Sequence, residues 1–273
     1  MKNKTKHSFI TVIFFIFGLG LFCEPALVAA ANVEAVASES TIYFKIENFT
    51  WKEFDDSGSQ LLEESGPIYG IGFSASSEYA NSLTAIFKVE LFNGSIDYDG
   101  QTQAGTPVKT DTDYQGFKLE GDIGNKFIKA EKSSLEAFAG LGYRWWLRDI
   151  KSTSDAIGYE EEWWSIYARL GIRGEHIFSD QLKAFFETGA KLPMKTENEA
   201  DLAVFGLGKV TLEPENEPSA FAEIGLKWNR LKTSVFYEGM RFSKSEQVIV
   251  RPYAIHQPES QADILGINVG MTF

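Results

Sequence analysis

Cysteine, histidine and proline are scarce in this sequence. Of its 273 residues, one is cysteine, three are histidine and eight are proline. A lone cysteine, Cys23, rules out an internal disulfide framework, and so few sulfur and imidazole ligands rule out a Cys/His zinc cluster. No metal site and no cofactor is expected. Basic residues are also in deficit: 26 Lys and Arg stand against 38 Asp and Glu, a formal charge of −12. That balance excludes nucleic acid as a partner. Past residue 31 no apolar run reaches the roughly 20 residues that a membrane helix needs. What the chain does have is aromatic side chains, 14% of the total, and 24 glycines. Aromatic-rich, glycine-rich, proline-poor composition favours sheet over helix.

The one apolar run is N-terminal. Lys2, Lys4 and Lys6 precede an apolar stretch from Phe9 to Cys23, closed by Glu24 and Pro25 and followed by Ala29, Ala30 and Ala31. The pattern predicts a secretory signal peptide over residues 1–31. Bulky Phe22 argues against a lipid-modified Cys23. Without Lys2, Lys4, Lys6 and Glu24 the exported chain keeps 23 basic and 37 acidic residues, a formal −14. Residues 32–40 then form a short lead-in, and residues 41–273 a single all-β domain.

Period-two alternation dominates that domain. In LEAFAGLGYRWWLRD, residues 135–149, the odd positions are apolar throughout, and the even ones mix Glu136, Arg144 and Arg148 with glycine and aromatics. Ten segments behave this way: 41–54, 67–75, 83–98, 114–124, 135–149, 161–175, 182–192, 219–229, 231–243 and 261–273. Short connections (76–82, 125–134, 176–181 and a turn at Asn229–Arg230) alternate with longer, more acidic ones (55–66, 99–113, 150–160, 193–218 and 244–260). Most segments reach the 9–11 residues of a tilted membrane strand, and several overshoot it. Short turns on one side and long loops on the other is the arrangement of a closed antiparallel transmembrane barrel. About ten strands are expected, with eight or twelve as the neighbouring options.

The polar parity carries the chemistry. Its bases are Lys45, Lys88, Lys118, Arg144, Arg148, Arg169, Arg173, Lys183, Lys191, Lys227 and Lys232; its acids are Glu47, Glu90, Glu120, Asp122, Glu136, Glu175, Glu187, Glu223 and Glu238. The two sets nearly balance, although the whole chain does not. Interior charges need partners, so a salt-bridged lumen is expected, with Glu90, Lys118, Glu120, Glu136, Arg144, Arg148, Arg169, Arg173, Glu187, Glu223, Lys227 and Glu238 as its network. Tryptophans near strand ends (Trp51, Trp145, Trp164 and Trp228), with Phe273, are expected as an aromatic girdle at the two membrane rims.

The final segment, ILGINVGMTF, alternates Leu265, Ile267, Val269, Met271 and Phe273. Leader, alternating strands and this terminal strand together resemble bacterial outer-membrane β-barrels across nearly all of the exported chain. The resemblance implies an outer-membrane protein of a Gram-negative envelope. Its last strand and terminal Phe273 would be read by the barrel-assembly machinery, with periplasmic chaperones handling the chain on its way. Outer-membrane lipids and lipopolysaccharide are the partners it implies. Oligomeric state is not legible.

Three roles follow. The first is a structural or surface-interaction barrel of the small OmpA/OmpX type, with a charge-filled lumen and acidic outer loops. The second is a porin-like narrow pore for ions or small solutes. The third is a rim hydrolase, lipid-acting or similar to the ten-stranded omptin proteases. For the third, IDYDG supplies Asp97 and Asp99, and KTDTDY supplies Asp111 and Asp113 across the same loop; His256 is the histidine on the loop side. There is no Asp-x-His pair, and the Gly-x-Gly of YGIGFSA and FGLGKV lacks the rest of a phosphate loop. An enzyme is the least favoured of the three.

Overall fold

The structure, a computed structural model, describes residues 35–102 and 105–273. The signal peptide expected over residues 1–31 lies outside the described residues. Fourteen strands follow one another: β1 (Ala35–Phe54), β2 (Gln60–Tyr79), β3 (Leu83–Gln101), β4 (Pro107–Lys129), β5 (Ser133–Ile150), β6 (Glu160–Ser179), β7 (Leu182–Asp201), β8 (Lys209–Leu212), β9 (Glu215–Asn216), β10 (Ser219–Trp228), β11 (Leu231–Ser243), β12 (Val248–Val250), β13 (Tyr253–Ile255) and β14 (Glu259–Thr272). Ten of them close a ring. Neighbours run β1 to β7 in chain order, β7 pairs β10, β10 pairs β11, β11 pairs β14, and β14 returns to β1. The barrel is antiparallel and ten-stranded, so no edge is left for lipid to meet.

Its closing seam runs from Thr41↔Thr272 to Phe54↔Glu259. β1 itself begins at Ala35, ahead of that seam. Alternation builds the wall. On β14, Leu265, Ile267, Val269, Met271 and, just past it, Phe273 are outward and about half exposed or more, whereas Ile264 and Ala262 are buried inside. Asp263 also faces out, bonded to Arg241 at 2.6 Å.

At the short-turn end the chain reverses tightly. Asn229 takes a left-handed φ of 53°, a conformation that asparagine tolerates better than most residues. At the other end the strands rise well past the expected segments. β2 starts at Gln60, β3 ends at Gln101, β4 starts at Pro107 and β7 runs to Asp201. Much of the expected loops 55–66, 99–113 and 193–218 is therefore wall. The inner face explains why: Leu62, Glu64, Ile96, Val108, Thr112, Asn198 and Ala200 are all buried there. Strand pairing continues where the outer face meets water instead of lipid, so only the inner half of the alternation survives.

β1 to β7 have 18–23 residues each, but β10, β11 and β14 have 10–14. Above the short strands the wall is completed by branches. The apolar stretch 202–212 turns back on β7 as a hairpin, with β8 paired from Asn198↔Leu212 to Asp201↔Lys209. β9 pairs the top of β11 at Phe242↔Asn216. β12 and β13 form a separate small hairpin.

Candidate functional site

The lumen is the candidate site, and it is filled in layers. Each layer is built from positions of inward parity on several strands. The lowest, toward the short-turn end, is ionic. Lys45 contacts Glu47 and Glu90, both at 2.8 Å, and Lys118 contacts Glu90 at 3.0 Å and Glu238 at 2.8 Å. Glu238 also holds Arg144 at 3.1 Å and Lys191 at 2.5 Å. Lys191 leads to Glu120 at 3.4 Å, and Glu120 to Arg169 at 3.2 Å. Arg169 bridges Asp122 at 2.8 Å and Glu187 at 2.7 Å. Arg173 joins Glu136 at 2.7 Å, and Lys88 joins Glu187 at 3.2 Å. The connected set contains seven bases and seven acids. It is neutral, which is the condition under which charges are tolerated away from water.

Glycines make this density possible. A Cβ at Gly72 would fall inside the Tyr43 ring, and one at Gly142 inside the Tyr167 ring. Those phenols donate to Glu90 at 2.8 Å and Glu120 at 2.9 Å. A cavity of about 80 Å³ remains, lined by Thr41, Lys88, Glu223, Lys232 and Asn268 among others. It lies toward the short-turn end.

Above the ionic layer lies an aromatic septum. Trp51, Trp146, Trp163 and Phe242, from β1, β5, β6 and β11, are all 0–2% exposed. Trp146 stacks on Trp163 with centroids 5.4 Å apart and planes 11° from parallel, and Trp51 meets Trp163 edge-on at 5.3 Å. Phe242 closes the group at 5.6 Å from Trp163. Trp146 and Trp163 are cross-strand partners, the geometry in which aromatic pairs stabilise a sheet.

Above the septum stands a second ionic node. Arg148, 1% exposed, reaches Glu53 at 3.1 Å, Glu64 at 2.8 Å and Glu161 at 2.8 Å. The septum serves this node directly: Trp51 Nε1 donates to Glu53 at 3.0 Å and Trp163 Nε1 to Glu161 at 2.8 Å. Tyr114 and Thr112 both donate to Glu64. The mouth is closed by Gln257 from the last connection. Its amide donates to Glu53 at 3.3 Å and accepts from Asn198 at 2.8 Å.

Several sequence-expected residues sit elsewhere. Arg148 belongs to the upper node, not the lower network. Glu223 lines the cavity and accepts from the Ser234 hydroxyl at 2.6 Å, and Lys227 pairs with Glu39 near the short-turn rim. Glu90, Lys118, Glu120, Glu136, Arg144, Arg169, Arg173, Glu187 and Glu238 are all in the lower network. Trp51 is not a girdle residue: it shares inward parity with Lys45 and Glu47 and is buried in the septum. Trp145 and Trp164 face outward and donate to Glu162 and Glu197, while Trp228 and Phe273 are exposed at the opposite end.

The hydrolase candidates do not converge. Asp97 faces outward on β3 opposite Asp111, and Asp99 is tied to Lys109 at 2.7 Å. His256 is lowered from the usual imidazole value by burial and by Lys244, with Asp56 opposing; neither Asp97 nor Asp99 acts on it. Among the described residues no group of three or more His, Cys, Asp or Glu is placed to hold a metal. The upper node's Glu53, Glu64 and Glu161 are absent from the charge network expected from sequence. Glu53 and Glu161 lie on the inward parity of segments 41–54 and 161–175, and extending the inward parity of β2 by two positions below residue 67 reaches Glu64.

No known family model and no curated protein matches the sequence. Solved structures do match by shape. The outer-membrane protease OmpT from Escherichia coli superposes with a TM-score of 0.58 at 9% identity, over 90% of this chain and all of that one. The Pseudomonas putida toluene transporter TodX gives 0.38 at 10% identity, over 88% and 90%. Ail, the attachment invasion locus protein of Yersinia pestis, gives 0.33 at 10% identity, over 86% and 99%. What is shared is the fold, that of the outer-membrane β-barrels.

Proposed function

We propose that this chain, folded as an outer-membrane β-barrel, is a non-conducting protein of the bacterial outer membrane whose work is done at its surface, as a structural or interaction element. One observation carries the reading: ionic network, aromatic septum, Arg148 node and Gln257 close the lumen in series. The outward apolar band, with Leu265, Ile267, Val269 and Met271 in it, meets outer-membrane lipid and lipopolysaccharide. In this reading the short turns face the periplasm, as in other outer-membrane barrels. The last strand and Phe273 serve recognition by the assembly machinery.

The test is electrical. Refolded protein in planar bilayers should show no steady conductance steps, and steady steps would overturn the reading in favour of the narrow pore. The pore reading has the 80 Å³ cavity in its support; the septum stands against it. Folded protein should also migrate differently from boiled protein on a gel, as closed barrels do.

A further inference from the structure

The chamber below the septum is blocked on one side only. The aromatic septum and the Arg148 node close it toward the long loops. Toward the short turns its inward side chains are wetted: Ser74, Lys88, Glu223, Lys232 and Asn268 line the cavity, and each is only partly buried. With the septum shut and the wall without an edge, water reaches them past the short turns. A cavity of about 80 Å³ holds about six water-sized groups.

Ten charged side chains line this cavity. Eight of them, four bases and four acids, belong to the neutral network and pair with one another. The two left over have opposite signs. Glu223 accepts from the Ser234 hydroxyl at 2.6 Å and the Asn268 amide at 3.5 Å. The Lys232 ammonium lies 4.5 Å from the centre of the Phe185 ring. Among the described residues neither has an ion-pair partner, and a neutral donor or a ring is a weaker partner than an opposite charge. Nor are they neighbours. Glu223 lies opposite Phe236, and Lys232 is four residues further along β11, about 13 Å of strand. Each also stands beside its own sign. Glu223 is opposite Glu187, whereas Lys232 is opposite Lys227, which is opposite Lys183 in turn. Glu187 is answered by Lys88 and Arg169, and Lys227 by Glu39. Beside Glu223, the buried Asn268 Oδ1 has no hydrogen-bond partner.

We propose that this chamber binds a small zwitterion entering past the short turns, a molecule of amino-acid size with a primary ammonium and an oxyanion. The ammonium donates to Glu223 and to Asn268 Oδ1; the oxyanion accepts from Lys232. The charges select this class. A simple anion would answer Lys232 and leave Glu223 bare, and a simple cation would do the reverse. A zwitterion answers both and keeps the lumen neutral, the condition for burying charge. A quaternary ammonium has no N–H to give Asn268. A free amino acid and the phosphoethanolamine group of a lipid share the required chemistry. Because the septum is closed, the solute is held and not passed on.

The test uses the exported chain refolded in nanodiscs of phosphatidylcholine, which has no primary ammonium. γ-Aminobutyrate is the calorimetric probe, compared with butyrate and butylamine, which each carry one of its charges. Expected is saturable binding of γ-aminobutyrate, at least tenfold tighter than either comparison. Glu223→Gln and Lys232→Met should each weaken it at least tenfold, and Asp97→Asn on the outer wall should leave it unchanged. Heat-modified migration verifies that each variant is folded. Phosphoethanolamine binding more tightly than γ-aminobutyrate, with the same dependence on Glu223 and Lys232, would support the site and assign it to lipid headgroups. No saturable binding of either zwitterion, equal binding of butyrate or butylamine, or binding unchanged in both variants would each overturn the proposal. Conductance steps in bilayers would sink the non-conducting reading without altering the calorimetric result, so the two failures are separable.

Discussion

Glu238 shows what one residue does here. Lys118, Arg144 and Lys191 all end on its carboxylate, so Glu238→Gln strands three cations inside the barrel. Breaking a buried pair costs about 3–5 kcal/mol, and urea unfolding in vesicles should show a loss of that order. Glu223→Gln, which removes a carboxylate whose direct hydrogen bonds come from the Ser234 hydroxyl and the Asn268 amide and which has no ion pair within contact distance, should cost less, about 1 kcal/mol. Equal losses would mean that the network does not work as a unit. Asp55 offers a pH readout outside the membrane. The Ser57 hydroxyl donates to it at 2.6 Å, and the Ser59 and Ser57 amides at 2.9 and 2.8 Å. Led by the Ser57 hydroxyl, these bonds hold Asp55 below the usual aspartate value. Because the folded value is depressed, the turn's stabilisation is present above the unfolded value and is lost as pH falls through the folded one. Ser57→Ala should move the Asp55 titration upward by NMR; an unchanged midpoint would refute the assignment.

At the scale of the strand, legibility depends on what the outer face touches. In β5 lipid contact makes one parity apolar, so Arg144 and Arg148 are readable as inward from sequence alone. In β2 the outer face of residues 60–66 meets water, alternation fades, and Glu64 looks like part of an acidic loop although it is buried beside Arg148. Position near a strand end puts Trp51 in the girdle, yet its parity agrees with Lys45 and Glu47, and parity decides. Wherever lipid enforces the pattern, position within a strand is weaker evidence than parity. The closing strand yields its own prediction. Phe273 is exposed at the short-turn rim, and its amide and carbonyl pair with Ser40. Phe273→Ala, or a polar tail after it, should lower the yield of heat-modifiable barrel in the membrane fraction. Unchanged yield in both would remove the assembly role from this strand.

For the whole molecule the septum is the barrier to test. Trp146→Ala with Trp163→Ala removes the stacked pair, and with it the Trp163 hydrogen bond to Glu161, but leaves the ion pairs of both layers in place. Truncating a buried aromatic costs about 3–5 kcal/mol, so the double variant should be less stable but still form a barrel. It should also admit steady ion leak where wild type shows none. A tight double variant would shift the barrier to the charge network. The remaining consequence concerns closure. The lower network joins Lys118 on β4 to Glu238 on β11, and the upper node joins Arg148 on β5 to Glu53 on β1. None of these partners meets while the sheet is open. An open sheet keeps the neighbouring-strand pairs Lys118–Glu90 and Arg148–Glu161 but lacks these partners from across the lumen, which only a closed ring brings together. The cross-lumen salt bridges therefore stabilise the closed ring relative to any open sheet.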